Sequence, residues 1–485
     1  MSNLRSYKKA GIFLVLLAAM AVALPAQTFK TLHNFRDTDG LYPWASLVQG
    51  IDGNFYGTTQ NGGNTACSSG CGTVFQITPG GKLTDILSFD GTNGSGPFAG
   101  LIQAANGDFY GAATVGGTGN FDGDCPNNCG TIFTVTASGT QTTLYNFSFT
   151  DGFQPAAALT LGADGNYYGT TDGGGAADAG TFFVITPSGT LTSLYTFTGG
   201  NDGASPYGAL VQALDGNFYG TTWSGGANGF GTVFTITANG TITTLHAFDG
   251  TDGSYPFAGL VQGKGGDFYG VTEEGGAYGV YQSYGTVFKI TTAGKLTTLY
   301  SFTGGADGDT PISTLIQATD GNFYGTTSYG GGAHYSCGTA FKITPTGTLT
   351  TLHSFDLTDG CSVYAGLIQS TDGGFYGTTF SGGTSKACRY GCGTVYSLSV
   401  GLGPFVEMVP TSGNVGAAVR ILGTNLKGAT SVTFNGTPAT FQVISKSGIE
   451  TSVPPGATAG PVRVTTTVKG IKNTLKSNVA FQVTE

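Results

Sequence analysis

Short runs of apolar, β-branched and aromatic residues recur along most of the chain, separated by Gly-rich and Asp-rich segments. Runs of this kind, in which apolar and polar residues alternate, predict β-strands. Asp215-Gly216 and Asn239-Gly240 predict tight hairpin turns, because these dipeptides tolerate the positive φ that such turns require. The clearest copy therefore predicts four antiparallel strands, at Ala209–Ala213, Asn217–Thr222, Gly231–Thr237 and Thr241–Phe248.

This four-strand module occurs seven times. Each copy contains Phe-Tyr-Gly or Tyr-Tyr-Gly, and successive copies are 50 to 58 residues apart. A period of this size with four strands is typical of a β-propeller blade. The seven tripeptides have their central Tyr at Tyr56, Tyr110, Tyr168, Tyr219, Tyr269, Tyr324 and Tyr376.

The seventh module lacks its outer strand, and the missing strand is found near the N-terminus. Thr28–Phe35 (TFKTLHNF) matches the outer-strand sequence TTLHAF at Thr243–Phe248. We therefore predict an all-β chain, with a seven-bladed β-propeller over residues 27–403 that this N-terminal strand closes. Because strands alternate in direction, the two longer loops of each module should share one face, here called the long-loop face. The two tight turns should share the other, here called the tight-turn face.

Residues 1–26 have the pattern of a signal peptide. Arg5, Lys8 and Lys9 precede the apolar run 10–24, and small residues before Gln27 suit a cleavage site. A membrane anchor is the alternative, but the run is shorter than the ~20 residues needed to span a bilayer. We therefore expect a secreted, periplasmic or cell-surface protein with no membrane span after signal removal.

The eight cysteines fit an oxidising compartment. Three pairs share one spacing directly before a Gly-Thr strand, and the remaining two cysteines lie in neighbouring long loops. Zinc is the competing interpretation, but no His accompanies any pair. We predict four disulfide bonds and no metal site, with the pairs Cys67–Cys71, Cys125–Cys129, Cys388–Cys392 and Cys337–Cys361.

A change of pattern at residues 401–404 marks a second domain, 404–485. Its alternating strands predict a small immunoglobulin-like β-sandwich. Residues 27–403 hold 9 Lys and Arg against 25 Asp and Glu, whereas residues 404–485 hold 7 against 3. Lys469, Lys472 and Lys476 form a basic group, which is either solvated surface or a docking group for the acidic propeller or an anionic cell surface.

Two family resemblances follow from these motifs. The repeated DGNFYGTT, GTVFKIT and GTLTTLYSF segments resemble the bacterial choice-of-anchor tandem-repeat family called GloVer. That resemblance implies an exported repeat protein without assigned catalysis, although this chain lacks the terminal hydrophobic helix of the anchored members. Residues 404–484 resemble an IPT/TIG domain through GTNL, VTFNG and VPPGATAGPVRV. This immunoglobulin-like domain occurs in surface receptors, transcription factors and polysaccharide-degrading proteins, and export argues against a nucleic-acid partner here.

Catalytic motifs are sparse. His33, His246 and His353 share a repeat position with Tyr145, Tyr195 and Tyr300, which favours packing roles, and His334 stands alone in a loop. Glu273-Glu274 is the one conspicuous acidic pair. Glycosidase carboxylates usually come from different segments, so solvated loop charge is the simpler interpretation.

Aromatic residues suggest binding instead. The residue that opens the innermost strand is aromatic in five modules, and Trp223 adds an indole that we expect to be exposed on the long-loop face. Rings there either stack on sugars or pack between blades. Three Asp pairs in the outer loops are better explained by turn chemistry than by calcium: Asp37 and Asp39, Asp307 and Asp309, and Asp356 and Asp359. The residues that open the innermost strands of the seven modules are Trp44, Phe98, Ala156, Tyr207, Phe257, Ile312 and Tyr364.

The sequence thus predicts a monomeric, non-enzymatic binding or adhesion protein without a cofactor, which recognises a glycan or another surface ligand. Its candidate ligand residues are Trp44, Trp223, Glu273 and Glu274. A polysaccharide-active lyase or hydrolase with its site in the propeller mouth, and a purely structural surface module, are the alternatives.

Overall fold

The computed structural model describes residues 27–63, 66–118, 125, 128–279, 283–332, 336–468 and 470–484. The predicted signal peptide, His334 and Lys469 lie outside these ranges. The described residues form an all-β chain without an α-helix, and one 3-10 turn spans Leu426–Gly428. Within them, no helix has the length and apolar character needed to cross a membrane.

Seven four-stranded antiparallel sheets occupy the repeated region, as in a propeller-like repeat fold. The first strand of each sheet has only two residues, shorter than predicted. Sheets 1 to 3 comprise Val48–Gln49, Phe55–Thr59, Thr73–Ile77 and Leu83–Ser88; Ile102–Gln103, Phe109–Ala113, Thr131–Val135 and Gln141–Asn146; and Thr160–Leu161, Tyr167–Thr171, Thr181–Ile185 and Leu191–Thr196. Sheets 4 to 6 comprise Val211–Gln212, Phe218–Thr222, Thr232–Ile236 and Ile242–Ala247; Val261–Gln262, Phe268–Thr272, Thr286–Ile290 and Leu296–Ser301; and Ile316–Gln317, Phe323–Thr327, Thr339–Ile343 and Leu349–Ser354.

Sheet 7 combines the two ends of the repeated region. Ile368–Gln369, Phe375–Thr379 and Thr394–Ser399 supply three strands, and Thr28–Asn34 pairs antiparallel with the last of them. Sheet 7 also contacts sheet 1, where the Gln49 side chain accepts a 3.0 Å hydrogen bond from the Thr371 backbone N–H. The N-terminal strand therefore lies where the sequence places it.

The Phe-Tyr-Gly tripeptide joins neighbouring sheets. In all seven cases the Tyr ring packs on the aromatic ring that begins the second strand of the next sheet, with centroids 4.0 to 4.3 Å apart. Glycine is needed because a third-strand ring lies over it: a Cβ on Gly220 would stand 2.7 Å from Phe234 Cζ. The pairs are Tyr56–Phe109, Tyr110–Tyr167, Tyr168–Phe218, Tyr219–Phe268, Tyr269–Phe323, Tyr324–Phe375 and Tyr376–Phe55.

Threonine hydroxyls join the second and third strands in six of the seven sheets. In sheet 4, Thr222 Oγ1 and Thr232 Oγ1 are 2.8 Å apart and both are buried. Five other sheets have the same pair. Sheet 2 has Ala113 in place of the first Thr, and Thr131 Oγ1 is left buried without a hydrogen-bond partner.

The three described histidines have a second role besides packing. Nε2 of His33, His246 and His353 lies 2.7 to 3.0 Å from an Asp carboxylate in the following loop. The equivalent tyrosines donate their hydroxyls to Asp in the same way, as Tyr195 does to Asp202 at 2.8 Å. This bond fixes the outer strand to the loop that leads to the next sheet in six sheets, whereas sheet 1 has Leu87 at the same position.

All four predicted cysteine pairs are disulfide-bonded, and the described residues include no free cysteine. The two long loops of each module are also paired with each other by isolated backbone bridges, such as Ala204 with Ser224. Both kinds of loop therefore lie on the same face, the long-loop face.

The C-terminal residues form two further four-stranded sheets around one apolar core that includes Val406, Ile421 and Val464. They contact the tight-turn face: Ser447 Oγ donates to the Ile51 carbonyl at 3.0 Å, and the Phe405 N–H donates to the Thr371 carbonyl at 3.0 Å. One sheet comprises Val406–Val409, Ala418–Gly423, Gly448–Ser452 and Phe441–Val443. The other comprises Thr437–Ala439, Ala429–Phe434, Val462–Val468 and Ile471–Lys476. A separate parallel pair is formed by Ser412–Gly413 and Gln482–Val483.

Candidate functional site

A repeated backbone frame holds seven side chains on the long-loop face. The residue after the second strand of each sheet donates its N–H to a carbonyl in the loop that leads into that sheet, as Trp223 does to Ser205 at 3.0 Å. Ser205 has φ +56°, and the same loop position has a positive φ in every sheet. Because the frame is constant, the fold does not dictate which side chain it carries. The seven residues are Gln60, Thr114, Asp172, Trp223, Glu273, Ser328 and Phe380.

Trp223 and Glu273 occupy this position in sheets 4 and 5 and contact each other. The indole Nε1 donates to Glu273 Oε2 at 3.1 Å. Trp223 also packs against Tyr255, with ring centroids 5.2 Å apart. The expectation of an exposed indole is therefore wrong, because these neighbours leave Trp223 half-buried.

Burial also affects the carboxylate. Desolvation raises the pKa of Glu273, a shift that the Trp223 hydrogen bond opposes and the charge of Glu274 reinforces. Desolvation and the charge of Asp309 raise the pKa of Glu274. Glu273 and Glu274 thus lie in an acidic region that is partly shielded from water and includes Asp309 from the loop that leads into sheet 6, rather than in a fully solvated loop.

Two further acidic residues belong to this region: the sequence did not single out Asp172, and it indicated only turn chemistry for Asp309. Asp172 Oδ2 accepts a 2.8 Å hydrogen bond from the Tyr207 hydroxyl, and desolvation raises the pKa of Asp172. Asp309 has a pKa that desolvation also raises. Aligning the seven modules would have placed Asp172 with Trp223 and Glu273, whereas nothing in the repeat marks Asp309.

Trp44 lies in a different aromatic group. Its ring centroid is 4.2 Å from that of Tyr364 and 4.5 Å from that of Phe98, so rings from sheets 7, 1 and 2 pack on one another. Within the described part of the chain, Trp44 and Trp223 share no ring partner. The structure therefore joins Trp223, Glu273 and Glu274 into one region, and Trp44 packs on Tyr364, whose pKa is raised by desolvation and also by the charge of Glu273.

The Asp-rich loops use their oxygens internally. Asp356 Oδ1 accepts hydrogen bonds from the Thr358 N–H, the Thr358 hydroxyl and the Asp359 N–H. Across the described ranges, no group of three or more His, Cys, Asp or Glu is placed to hold a metal ion. The chemistry of the long-loop face is therefore that of aromatic faces, hydroxyls and carboxylates.

Comparison with solved structures gives distant likenesses, and no curated protein matches the chain. A protein of unknown function from Dyadobacter fermentans has 10% identity and a TM-score of 0.42, with 76% of this chain and 98% of that chain covered. Prolyl oligopeptidase B from Galerina marginata has 12% identity and a TM-score of 0.42, covering 82% and 58%. An auxiliary nutrient binding protein from Bacteroides ovatus has 13% identity and a TM-score of 0.40, covering 77% and 76%.

Family comparison is more specific. The Gloeobacter/Verrucomicrobia repeat matches three overlapping segments, residues 18–125, 121–284 and 266–437. The IPT/TIG domain matches residues 405–483. These segments contain the Phe-Tyr-Gly modules and the C-terminal sheets described above. The chain therefore belongs to the Gloeobacter/Verrucomicrobia repeat family and carries an IPT/TIG domain.

Proposed function

We propose that this chain is an exported, non-enzymatic binding protein of the cell surface or extracellular matrix, and that it recognises a glycan on its long-loop face. The proposal includes a closed seven-bladed propeller at residues 27–403, an immunoglobulin-like IPT/TIG domain at 404–485, and a signal peptide at 1–26. We expect the mature protein to be a monomer.

The contact between Trp223 and Glu273 carries this proposal. The backbone frame is the same in all seven sheets, so these two side chains are not needed to build it. The pair also brings together two groups that suit a sugar: a flat aromatic face for its C–H surface, and a carboxylate that accepts from its hydroxyls. Asp172 and Tyr207 provide a second carboxylate and ring on the neighbouring sheets.

The location of the C-terminal sheets supports the same face. Their contacts with Ile51 and Thr371 occupy the tight-turn face. A large polymer can therefore approach the long-loop face without displacing them. Disulfide bonds in those loops hold the approach surface in one conformation.

A glycan array of the mature protein, followed by calorimetry with the best glycan, tests the proposal. Trp223→Ala should weaken binding by about 1 to 3 kcal/mol, as expected for loss of a stacking residue. Trp44→Phe is the comparison variant, because it changes the other tryptophan while keeping an aromatic ring, and we expect a smaller loss of affinity from it than from Trp223→Ala. Binding that survives Trp223→Ala unaltered, or the absence of any glycan ligand, contradicts the assignment.

A polysaccharide-active enzyme is the second candidate, and the raised pKa values of Glu273 and Asp172 favour it. A carboxyl group with a raised pKa is better suited to proton donation than an ordinary one. Incubation with the glycans found on the array, followed by detection of new reducing or unsaturated ends, separates the candidates. Chain cleavage that Glu273→Gln abolishes establishes the enzyme instead.

A further inference from the structure

A cavity of 840 Å³ lies between the tight-turn face and the C-terminal sheets, away from the long-loop face. Its volume is within the range of small-molecule binding sites, which is roughly 300–1,000 Å³. Two of the side chains that line it are apolar and strongly exposed: Leu214, in the turn after the first strand of sheet 4, is 71% exposed, and Val479, near the C-terminus, is 57% exposed. Exposed apolar groups from two parts of the chain thus meet at one cavity, and an apolar ligand would shield both from water.

A repeated glutamine contact is interrupted at this cavity. In five of the seven sheets, the first strand ends in a Gln whose Oε1 accepts a backbone N–H from the tight turn of the preceding sheet, as Gln212 does from Ala163 at 2.8 Å. Gln262 occupies this position in sheet 5 and lines the cavity, yet no described residue donates to its Oε1, and Leu214 stands where the donor would be. Gln262 Nε2 still donates to the Gly266 carbonyl at 3.1 Å. Only the acceptor of this side chain is therefore left without a partner.

A second amide oxygen of the same cavity is also unpaired. Asn478 Nδ2 donates to the Gln317 carbonyl at 2.8 Å, whereas Asn478 Oδ1 is buried without a hydrogen-bond partner. Gln317 connects the two unpaired amides, because its own Oε1 accepts at 2.9 Å from the N–H of Lys264, two residues after Gln262. An acceptor that is buried without a donor costs free energy, so a ligand with two neighbouring donors would stabilise both amides.

We propose that this cavity binds an uncharged amphiphile with an apolar body and a diol head. The two hydroxyls donate to Gln262 Oε1 and Asn478 Oδ1, and the apolar body covers Leu214 and Val479. The charged residues of the cavity do not require a charged ligand: Lys264, Glu407 and Lys476 line it, but all three are exposed and stay hydrated at its rim.

The test uses the purified full chain and two probes, decane-1,2-diol and 1,2-dimethoxydecane, below the concentration at which either forms micelles. The probes share one apolar chain, but the ether oxygens cannot donate a hydrogen bond. Calorimetry should show that the diol binds and that the ether binds at least tenfold more weakly. Gln262→Met and Asn478→Leu each remove one acceptor and keep a similar side-chain volume, so each should reduce this difference to threefold or less.

Gln212→Met is the matched control, because Gln212 has the same repeat position as Gln262 but does not line the cavity, and its Oε1 is already paired. It should keep the full preference for the diol, as should Trp223→Ala, which separates this site from the glycan proposal. A second readout needs no ligand. Gln212→Met should lower the melting temperature more than Gln262→Met does, because only Gln212 loses a hydrogen bond between sheets at Oε1.

Failure of the diol to bind overturns the inference. Equal binding of the diol and the ether does so too, as does an undiminished preference for the diol in Gln262→Met that thermal unfolding shows to be folded. An equal loss of thermal stability in Gln212→Met and Gln262→Met would show that Gln262 Oε1 is already engaged, and it would also overturn the inference.

Discussion

Phe35 provides the sharpest test of how the N-terminal strand contributes to the fold. It follows Thr28–Asn34 directly, is completely buried, and packs edge-on against Phe75 of sheet 1 with centroids 5.1 Å apart. The same contact recurs at the other sheet junctions. In sheet 3, for example, Phe197 is equally buried and packs against Phe234 of sheet 4 at 5.3 Å.

Replacing a buried Phe by Ala costs roughly 3 to 5 kcal/mol, because apolar contact is lost and a cavity remains. If the N-terminal strand is held as firmly as the covalently continuous outer strands, Phe35→Ala and Phe197→Ala should cost the same amount. The assay is urea unfolding followed by near-UV circular dichroism, which reports aromatic packing. A loss below about 1 kcal/mol for Phe35→Ala, with 3 kcal/mol or more for Phe197→Ala, would refute a firmly docked strand.

Deletion of residues 27–35 extends the same test. It removes the partner of Thr394–Ser399 and leaves an unpaired strand edge, a known route to association. We expect loss of thermal stability and self-association on a sizing column. A monomeric deletion variant with an unchanged melting temperature would show that sheet 7 does not depend on this strand.

Three further predictions concern other parts of the chain. Ala113→Thr should stabilise the protein by about 1 kcal/mol in urea unfolding, because it gives the buried Thr131 hydroxyl the hydrogen-bond partner that the six other sheets have. Ala113→Val is the control: it adds volume without a hydroxyl and should not reproduce the gain. Loss of the Cys337–Cys361 bridge, whose cysteines have a sequence separation of 24, should cost at most about 3.5 kcal/mol by chain entropy. Non-reducing peptide mapping that linked Cys337 elsewhere would contradict the pairing. The pKa of Glu273 is raised in the folded state, so the free energy of unfolding should fall as pH rises from the ordinary carboxyl pKa of 4.5 through the folded-state pKa. Thermal unfolding between pH 4 and 7 measures this dependence, and Glu273→Gln should weaken it.

The repeated sheets could be predicted from sequence because each repeated residue meets the same neighbours. Tyr219, Gly220 and Thr222 each satisfy a contact that recurs from one module to the next. Repetition also identified the N-terminal strand and the cysteine pairs. The first strands were overestimated: in sheet 4, for example, only Val211 and Gln212 pair with the second strand as a ladder.

The candidate site was predicted less completely, and the reason is geometric. Trp223 and Glu273 are 50 residues apart and meet only because adjacent sheets bring equivalent positions together. Asp172 and Tyr207 meet in the same way. No local pattern encodes such contacts, so the sequence marked Trp223 and Glu273 as unusual without indicating that they touch. The position of the C-terminal sheets, and hence the cavity beside Glu407, likewise depends on surfaces that no repeat specifies.

Residues that differ from the repeated sequence can be compared by whether a neighbouring residue provides a hydrogen-bond partner for the changed group. Ala113 removes a hydroxyl and leaves Thr131 unpaired, which is a cost without a corresponding contact. Trp223 introduces an indole N–H, and Glu273 on the next sheet accepts from it through Oε2. Trp223 and Glu273 lie on adjacent sheets, and each supplies the hydrogen-bond partner of the other. Such a pair requires two matching substitutions, so chance explains it less easily than it explains the single change at Ala113. We expect the long-loop face to hold its ligand through the second Glu273 oxygen and the indole ring.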